Sequence, residues 1–288
     1  MAWNVKEREA AVGPLGLLGL HLLDAQRQGA SGGGRTLLML HGMGAYADAW
    51  RPVIPKLAGI DRVICPDHRG HGRSDWSRDG YWLHDYATDA RDLLDQLGID
   101  EVGVVGHSLG ARVAMVLAPM LAERLSSLAL LDTGPEVSRS MARQALAQAS
   151  APGPLPGFNS EEKLMAFLRE VHPDFAEEQL QIRARSLYRL NWSGMLVPRT
   201  DPEVYWLLGR ESRREVGDAW AGLRATKAPT LVVRATASSL LDEELGQRMM
   251  EALPDGRLQD LAVGHFMHCE APALVAEALN AFHAQVGA

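Results

Sequence analysis

Glu101-Val102-Gly103-Val104-Val105-Gly106-His107-Ser108-Leu109-Gly110-Ala111-Arg112-Val113 is an apolar run that meets a tight, glycine-flanked turn and re-emerges with helical spacing through Leu121. The run Glu101–Val105 reads as a buried strand and Leu109–Leu121 as an amphipathic helix. Between them stands a G-x-S-x-G pentapeptide, Gly106 to Gly110. A serine hydroxyl is a poor nucleophile unless a base takes its proton and the turn presents its oxygen. A sharp strand-to-helix turn does the presenting, and the two glycines give it room. The helix start adds unpaired N–H groups and a favourable dipole, so the N–H of Leu109 is a candidate donor to an oxyanion formed at Ser108. Five residues with two wild cards recur by chance, but a strand before and a helix after are what the turn requires.

The same rhythm extends outward. Val5–Val12 and Leu17–Asp24 flank Gly13-Pro14 and read as an opening hairpin. Thr36–Leu40 and Arg62–Cys65 are buried strands, separated by an irregular helical stretch, Ala47–Leu57, interrupted by Pro52 and Pro55. Tyr86–Leu97 is helical and stops at Gly98. Ser127–Leu131, Thr230–Arg234 and Arg257–Leu261 complete eight strands, with helices Asp242–Leu253 and Ala273–Ala284 between and after the last two. Alternating strands and helices predict an α/β fold, a mostly parallel eight-stranded sheet with helices on both faces. From Gly134 to Thr226 the strand signal stops, leaving helical patterns at Ser138–Ala149, Ser160–Val171 and Ala176–Leu190. The predicted organisation is therefore a core of residues 1–133 and 227–288, with an inserted helical cap, 134–226.

Composition narrows the function. The 288 residues are 47% hydrophobic and 23% charged, an ordinary globular balance. Lys and Arg number 29 against 36 Asp and Glu, a net charge of −7 with no basic run, which argues against a nucleic-acid partner. Two cysteines, Cys65 and Cys269, form no metal-ligand spacing and no disulfide framework. The apolar stretch Leu15–Leu23 is too short to span a bilayer, and the mixed charges of Lys6-Glu7-Arg8-Glu9 are unlike a signal peptide. A cytoplasmic protein acting on a small molecule, without metal or cofactor, is expected; the oligomeric state is not legible.

Four motifs in order resemble the α/β-hydrolase superfamily, in particular its small cap-bearing members, over nearly the whole chain. They are His41-Gly42-Met43-Gly44, Asp67-His68-Arg69-Gly70-His71-Gly72-Arg73-Ser74, Gly106–Gly110 and Gly264-His265. The resemblance implies that Met43 gives the second oxyanion N–H and that His41 is structural. His265 is the best of the ten histidines for the base. It lies in a loop opened by Gly264 beyond a strand, and comes last in the chain order Ser, acid, His that this fold uses. His268 reads as structural or lid-facing. The Asp67–Asp75 turn reads as architectural, with Arg69 and Asp75 pairing. Ser rather than Asp at the elbow argues against haloalkane dehalogenase and epoxide hydrolase chemistry.

The acid departs from the family pattern. In the loop after Thr230–Arg234, Arg234-Ala235-Thr236-Ala237-Ser238-Ser239-Leu240-Leu241, Ser239 stands where relatives carry Asp. A neutral hydroxyl can hold a histidine tautomer but cannot balance an imidazolium. Asp132, ending Ser127–Leu131, and Asp242, at a helix start, are the remaining candidates, and helix capping is the stronger reading of Asp242. Tyr188, Trp192, Met195, Trp206 and Leu207 read either as an apolar pocket wall or as the cap's own core. The expected activity is a serine hydrolase cleaving an ester, lactone, thioester or a C–C bond beside a ketone in a small, largely apolar molecule. The alternative is a ligand-binding or receptor-like protein on the same scaffold, since the usual acid is Ser239.

Overall fold

The computed structural model describes residues 2–13, 15–29, 34–78, 80–136, 155–173, 175–208 and 213–286, with the side chains of 186, 206–208 and 213 excepted. In chain order the elements are β1 (Trp3–Val12), β2 (Leu18–Arg27), β3 (Arg35–Leu40), β4 (Ile60–Pro66), α1 (Leu83–Gln96), β5 (Val102–His107), α2 (Leu109–Leu121) and β6 (Leu125–Leu131). After these come α3 (Glu161–Val171), α4 (Glu177–Leu187), β7 (Tyr188–Leu190), β8 (Leu196–Pro198), α5 (Pro202–Leu208) and α6 (Arg213–Ala225). The chain closes with β9 (Thr230–Ala235), α7 (Glu243–Ala252), β10 (Gly256–Leu261), the single turn α8 (Met267–Glu270) and α9 (Pro272–Gln285).

Eight strands form one sheet in the order β1-β2-β4-β3-β5-β6-β9-β10. β1 and β2 pair antiparallel, β2 joins β4 antiparallel, and every pairing from β4 to β10 is parallel. The central strands are continuous apolar runs because both faces are covered. Side chains alternate between faces at a period of two. Leu38, Leu40, Ile64, Leu128, Leu130 and Val232 pack with α1, α2, α6 and α7. Leu37, Met39, Val63, Cys65, Ala129, Leu131, Leu231 and Val233 pack with the 47–57 segment and α9. Parallel register places the C-terminal ends together, with Leu40 beside Gly106, His107 beside Leu131, Leu131 beside Val233 and Ala235 beside Leu261. The loops after β3, β5, β6, β9 and β10 therefore converge on one edge of the sheet, the place where open α/β sheets bind ligands.

Two features of the insertion differ from the sequence reading. It contains a short antiparallel hairpin, β7 with β8, where no strand was expected. Strands of three residues carry too little alternation to register as a pattern. The last helix before Thr226 also packs on the main core. Ala219, Trp220 and Leu223 of α6 belong to the main core, and a methyl group at Gly222 would lie 1.9 Å from the Met115 carbonyl oxygen of α2. α6 is thus a core helix. Its apolar spacing is that of any amphipathic helix, and only tertiary contact assigns it. The expected helix Ser138–Ala149 lies outside the described residues. Leu164, Met165, Leu168, Leu180, Ala184, Leu187 and Tyr188 form a separate small core for α3, α4 and the hairpin.

Candidate active site

Ser108 is the first residue past β5 and the N-cap of α2, with φ 52° and ψ −117°. Left-handed backbone at a non-glycine residue costs of the order of 1–3 kcal/mol and persists only where its surroundings enforce it. Here the Ser108 N–H donates to Leu131 O at 3.1 Å, and its carbonyl accepts from Ala111 and Arg112 at 3.0 and 3.2 Å. A methyl group at Gly106 would lie 2.4 Å from Gly110 O, and one at Gly110 would lie 2.2 Å from Leu40 O. Both glycines of the pentapeptide are therefore steric requirements of strand, turn and helix meeting. Unlike most N-cap serines, Ser108 makes no side-chain cap hydrogen bond, and the residue is half-buried.

Across the turn, Gly42 admits the elbow, since a methyl group there would sit 2.8 Å from His107 Nδ1 and 3.1 Å from Ser108 Cβ. Leu109 begins α2, so its N–H has no intrahelical acceptor, and the N–H of Met43 has no acceptor among the described residues. His41 ties this loop to the next. Its Nε2 accepts the His68 N–H at 2.9 Å, so the proton is on Nδ1, which donates to Gly42 O at 2.8 Å.

Asp132 is the first residue after β6, fully buried and also left-handed at φ 49°. Its N–H donates to Val233 O at 2.8 Å, and its Oδ1 accepts the Ala235 N–H at 3.1 Å. Its Oδ2 lies 2.8 Å from His265 Nδ1. A carboxylate accepts, so Nδ1 carries the proton and Nε2 keeps its lone pair. The backbone around His265 is fixed from two sides. His107 Nε2 donates to His265 O at 2.8 Å, while Glu270 accepts the N–H groups of Gly264 and Phe266 at 2.7 and 3.2 Å.

Other histidines crowd this edge but are held neutral. Burial pushes His41 and His107 well below the usual imidazole value, His68 and His268 to about 3, and His71 to about 4. His107 stacks 4.6 Å from His265 and 4.5 Å from His268, centroid to centroid, and His268 rests on Trp50 at 5.5 Å. Because folded values lie below the unfolded value of about 6.5, the stability these rings contribute is complete above that pH. It is lost as pH falls towards the folded values. Each such ring removes up to about 1.4 kcal/mol per pH unit. The melting temperature should therefore drop steadily from pH 6.5 to 4 in calorimetric scans, and a flat profile across that window would contradict the buried neutral state.

The remaining sequence candidates separate. Asp242 caps α7 by accepting the Leu245 N–H at 2.9 Å. Ser239 is half-buried in the loop following β9. The Arg69–Asp75 pair is corrected. Arg69 makes a bidentate contact to Asp89 of α1 at 2.6 and 2.7 Å, while Asp75 accepts the Gly19 N–H at 2.8 Å. The glycine turn directs the two side chains to different elements, which local spacing could not reveal. Trp192 is 97% exposed at the β7–β8 turn. Tyr188 packs within the small core of α3, α4 and the hairpin, and Met195 is half-buried beside the hairpin. The side chains of Trp206 and Leu207 lie outside the described residues. Sequence reading missed Glu270, Tyr205 and Arg183. Tyr205 Oη would meet a methyl group at Gly44 at 3.1 Å, next to Met43. None of the three carries a local motif.

The family model of the alpha/beta hydrolase fold matches residues 35–272. The chain is 26% identical over 252 residues to 2-(acetamidomethylene)succinate hydrolase of Mesorhizobium japonicum, covering 87% of this chain and 88% of that protein. It is 31% identical over 268 residues to lipase LipV of Mycobacterium tuberculosis, covering 90% and 96%. The crystal structure of an alpha/beta hydrolase from Novosphingobium aromaticivorans superposes with a TM-score of 0.77 at 24% identity, covering 97% of each chain, a likeness of fold. Among the described residues, no helix is long and apolar enough to cross a membrane, and no cluster of His, Cys, Asp or Glu is arranged to hold a metal ion.

Proposed function

Because the chain belongs to the α/β-hydrolase fold family, we propose that it is a serine hydrolase acting on an ester-like bond of a small molecule. Ser108 Oγ attacks the carbonyl carbon as His265 Nε2 removes its proton. The carbonyl oxygen becomes an oxyanion held by the N–H groups of Met43 and Leu109, and Asp132 balances the imidazolium. Collapse expels the leaving group, which takes the proton from His265. Water, deprotonated by the same nitrogen, then frees Ser108 from the acyl group. An ester, lactone, thioester or C–C bond beside a ketone fits this sequence of steps. The helices and hairpin between residues 155 and 208 act as the lid, excluding water from the acyl-enzyme. Two unpaired cysteines suit a reducing cytoplasm.

The observation that carries the reading is the 2.8 Å contact between His265 Nδ1 and the buried Asp132 carboxylate. A protein that only binds its ligand has no need of a charged acceptor behind an imidazole next to a strained serine. The test is release of 4-nitrophenol from a short-chain ester under stopped flow, with peptide mapping of a fluorophosphonate adduct. A burst of product and an adduct on Ser108 are expected. No release of 4-nitrophenol and no adduct would favour the ligand-binding alternative, and an adduct on another serine would remove Ser108 as the nucleophile.

A further inference from the structure

Arg183 is a half-buried cation on α4, in the lid, for which the mechanism above has no use. Its guanidinium carbon lies 3.8 Å from the centroid of the Phe266 ring, the residue after His265. Two residues further along α4, the Arg185 carbonyl accepts from Tyr46 Oη at 3.2 Å, and a methyl group at Gly44 would meet Leu187 at 3.6 Å. The C-terminal half of α4 therefore spans from the His265 loop to the Met43–Gly44 loop, across the site.

The guanidinium is oriented, and its outer edge is unpaired among the described residues. Its Nε donates to His172 Nε2 at 2.8 Å, and the His172 ring stands edge-on to Phe266 at 5.5 Å. That contact uses one of the five N–H donors and fixes the plane of the fork. The Nη groups have no acceptor among the described residues, and Arg183 forms no ion pair there. Glu270 is the nearby carboxylate, but its two oxygens hold the Gly264 and Phe266 N–H groups. Burial lowers Arg183 to about 10, and its His172 partner to about 4, so at neutral pH a cation faces a neutral ring. The phenol of Tyr188, buried and without a hydrogen-bond partner among the described residues, lies in the same field. A partly buried cation with no counterion among the described residues is available to an incoming anion. A planar fork with its outer edge free matches a carboxylate in bidentate geometry.

Resting on the serine-hydrolase reading, we infer that Arg183 is a specificity-determining residue that binds a carboxylate of the substrate. The preferred substrates are then acidic esters, with an aliphatic spacer between the scissile carbonyl and a free carboxylate.

The test compares mono-4-nitrophenyl adipate with 4-nitrophenyl hexanoate, which share chain length and leaving group and differ in the terminal carboxylate. The wild-type protein should favour the adipate by at least tenfold in kcat/KM. The adipate-to-hexanoate ratio should fall about 50-fold in Arg183→Met, the loss of a charged bidentate contact, with Arg183→Lys in between. Absence of a wild-type preference, or equal loss on both esters, would overturn the assignment. Calorimetry of monomethyl adipate with Ser108→Ala separates this inference from the hydrolase reading. Binding should weaken at least tenfold on adding Arg183→Met or Arg183→Lys, and unchanged binding would sink the carboxylate site even where turnover is normal. Carboxylate binding without any turnover would leave the site standing and reject the hydrolase.

Discussion

Ser108→Ala is expected to lower kcat on an activated ester about 10⁶-fold. The hydroxyl is the sole atom group removed, while the N–H groups of Met43 and Leu109 and the proposed lid are untouched. The residual rate should be what those donors and binding supply, about 10³–10⁴ over water. The fold should survive because the serine hydroxyl caps nothing, and the turn is held by the backbone contacts of Ser108 with Leu131, Ala111 and Arg112. Alanine inherits the left-handed backbone strain. Glycine does not, so Ser108→Gly should be as inactive as the alanine variant yet more stable by about 1 kcal/mol, from relief of φ 52°. Active-site titration excludes contaminating wild-type protein. Retention of more than a hundredth of the wild-type rate by either variant would remove Ser108 from the mechanism.

What could be read from the chain follows the range over which each feature acts. The elbow was legible because strand, glycine, serine, glycine and helix occupy adjacent residues, and their spacing is itself the geometry. The central strands were legible because burial on both faces leaves unbroken apolar runs. Arg69 was not, because its partner Asp89 is brought near only when α1 packs beneath the turn. Trp192 misled for a related reason. An aromatic residue in an apolar-rich insertion has no local mark that separates a hairpin tip from a pocket wall, and here it is the tip. The packing of α6 was not legible either, because its amphipathic spacing is that of any surface helix while its contacts are with the main core. Arg183 and Glu270 belong to no motif. Their meaning comes from which backbone and ring they meet, Phe266 for the first and the two amides flanking His265 for the second. The proposed acid, Asp132, lies between these cases. Strand order made Asp132 reachable from sequence, but the register that joins it to Ala235 and His265 belongs to the sheet.

Asp132→Asn should lower kcat by up to about 10⁴ while leaving the protein folded. The Asp132 carboxylate has two tasks, one oxygen accepting the Ala235 N–H and the other facing His265 Nδ1. An amide has a single oxygen. If that oxygen serves Ala235, the NH₂ group faces His265 and forces the tautomer with its proton on Nε2, which then cannot accept from Ser108. If it serves His265, the buried Ala235 N–H meets a donor, at a cost of about 1–3 kcal/mol. In either orientation the negative charge that balances the imidazolium is gone. Asparagine tolerates the left-handed backbone at 132, so the melting temperature should fall by only a few degrees. Ser239→Asp in the wild-type background should change kcat less than threefold, because one carboxylate already faces the imidazole and a second would repel it. Placed on Asp132→Asn, the same substitution tests whether the loop after β9 can supply the charge from its own side, and partial recovery of kcat is expected. The pair of variants decides between a triad built on β6 and a serine–histidine dyad. A nearly silent Asp132→Asn, together with a gain of a hundredfold or more from Ser239→Asp alone, would mean that the 2.8 Å contact orients His265 without contributing to the reaction.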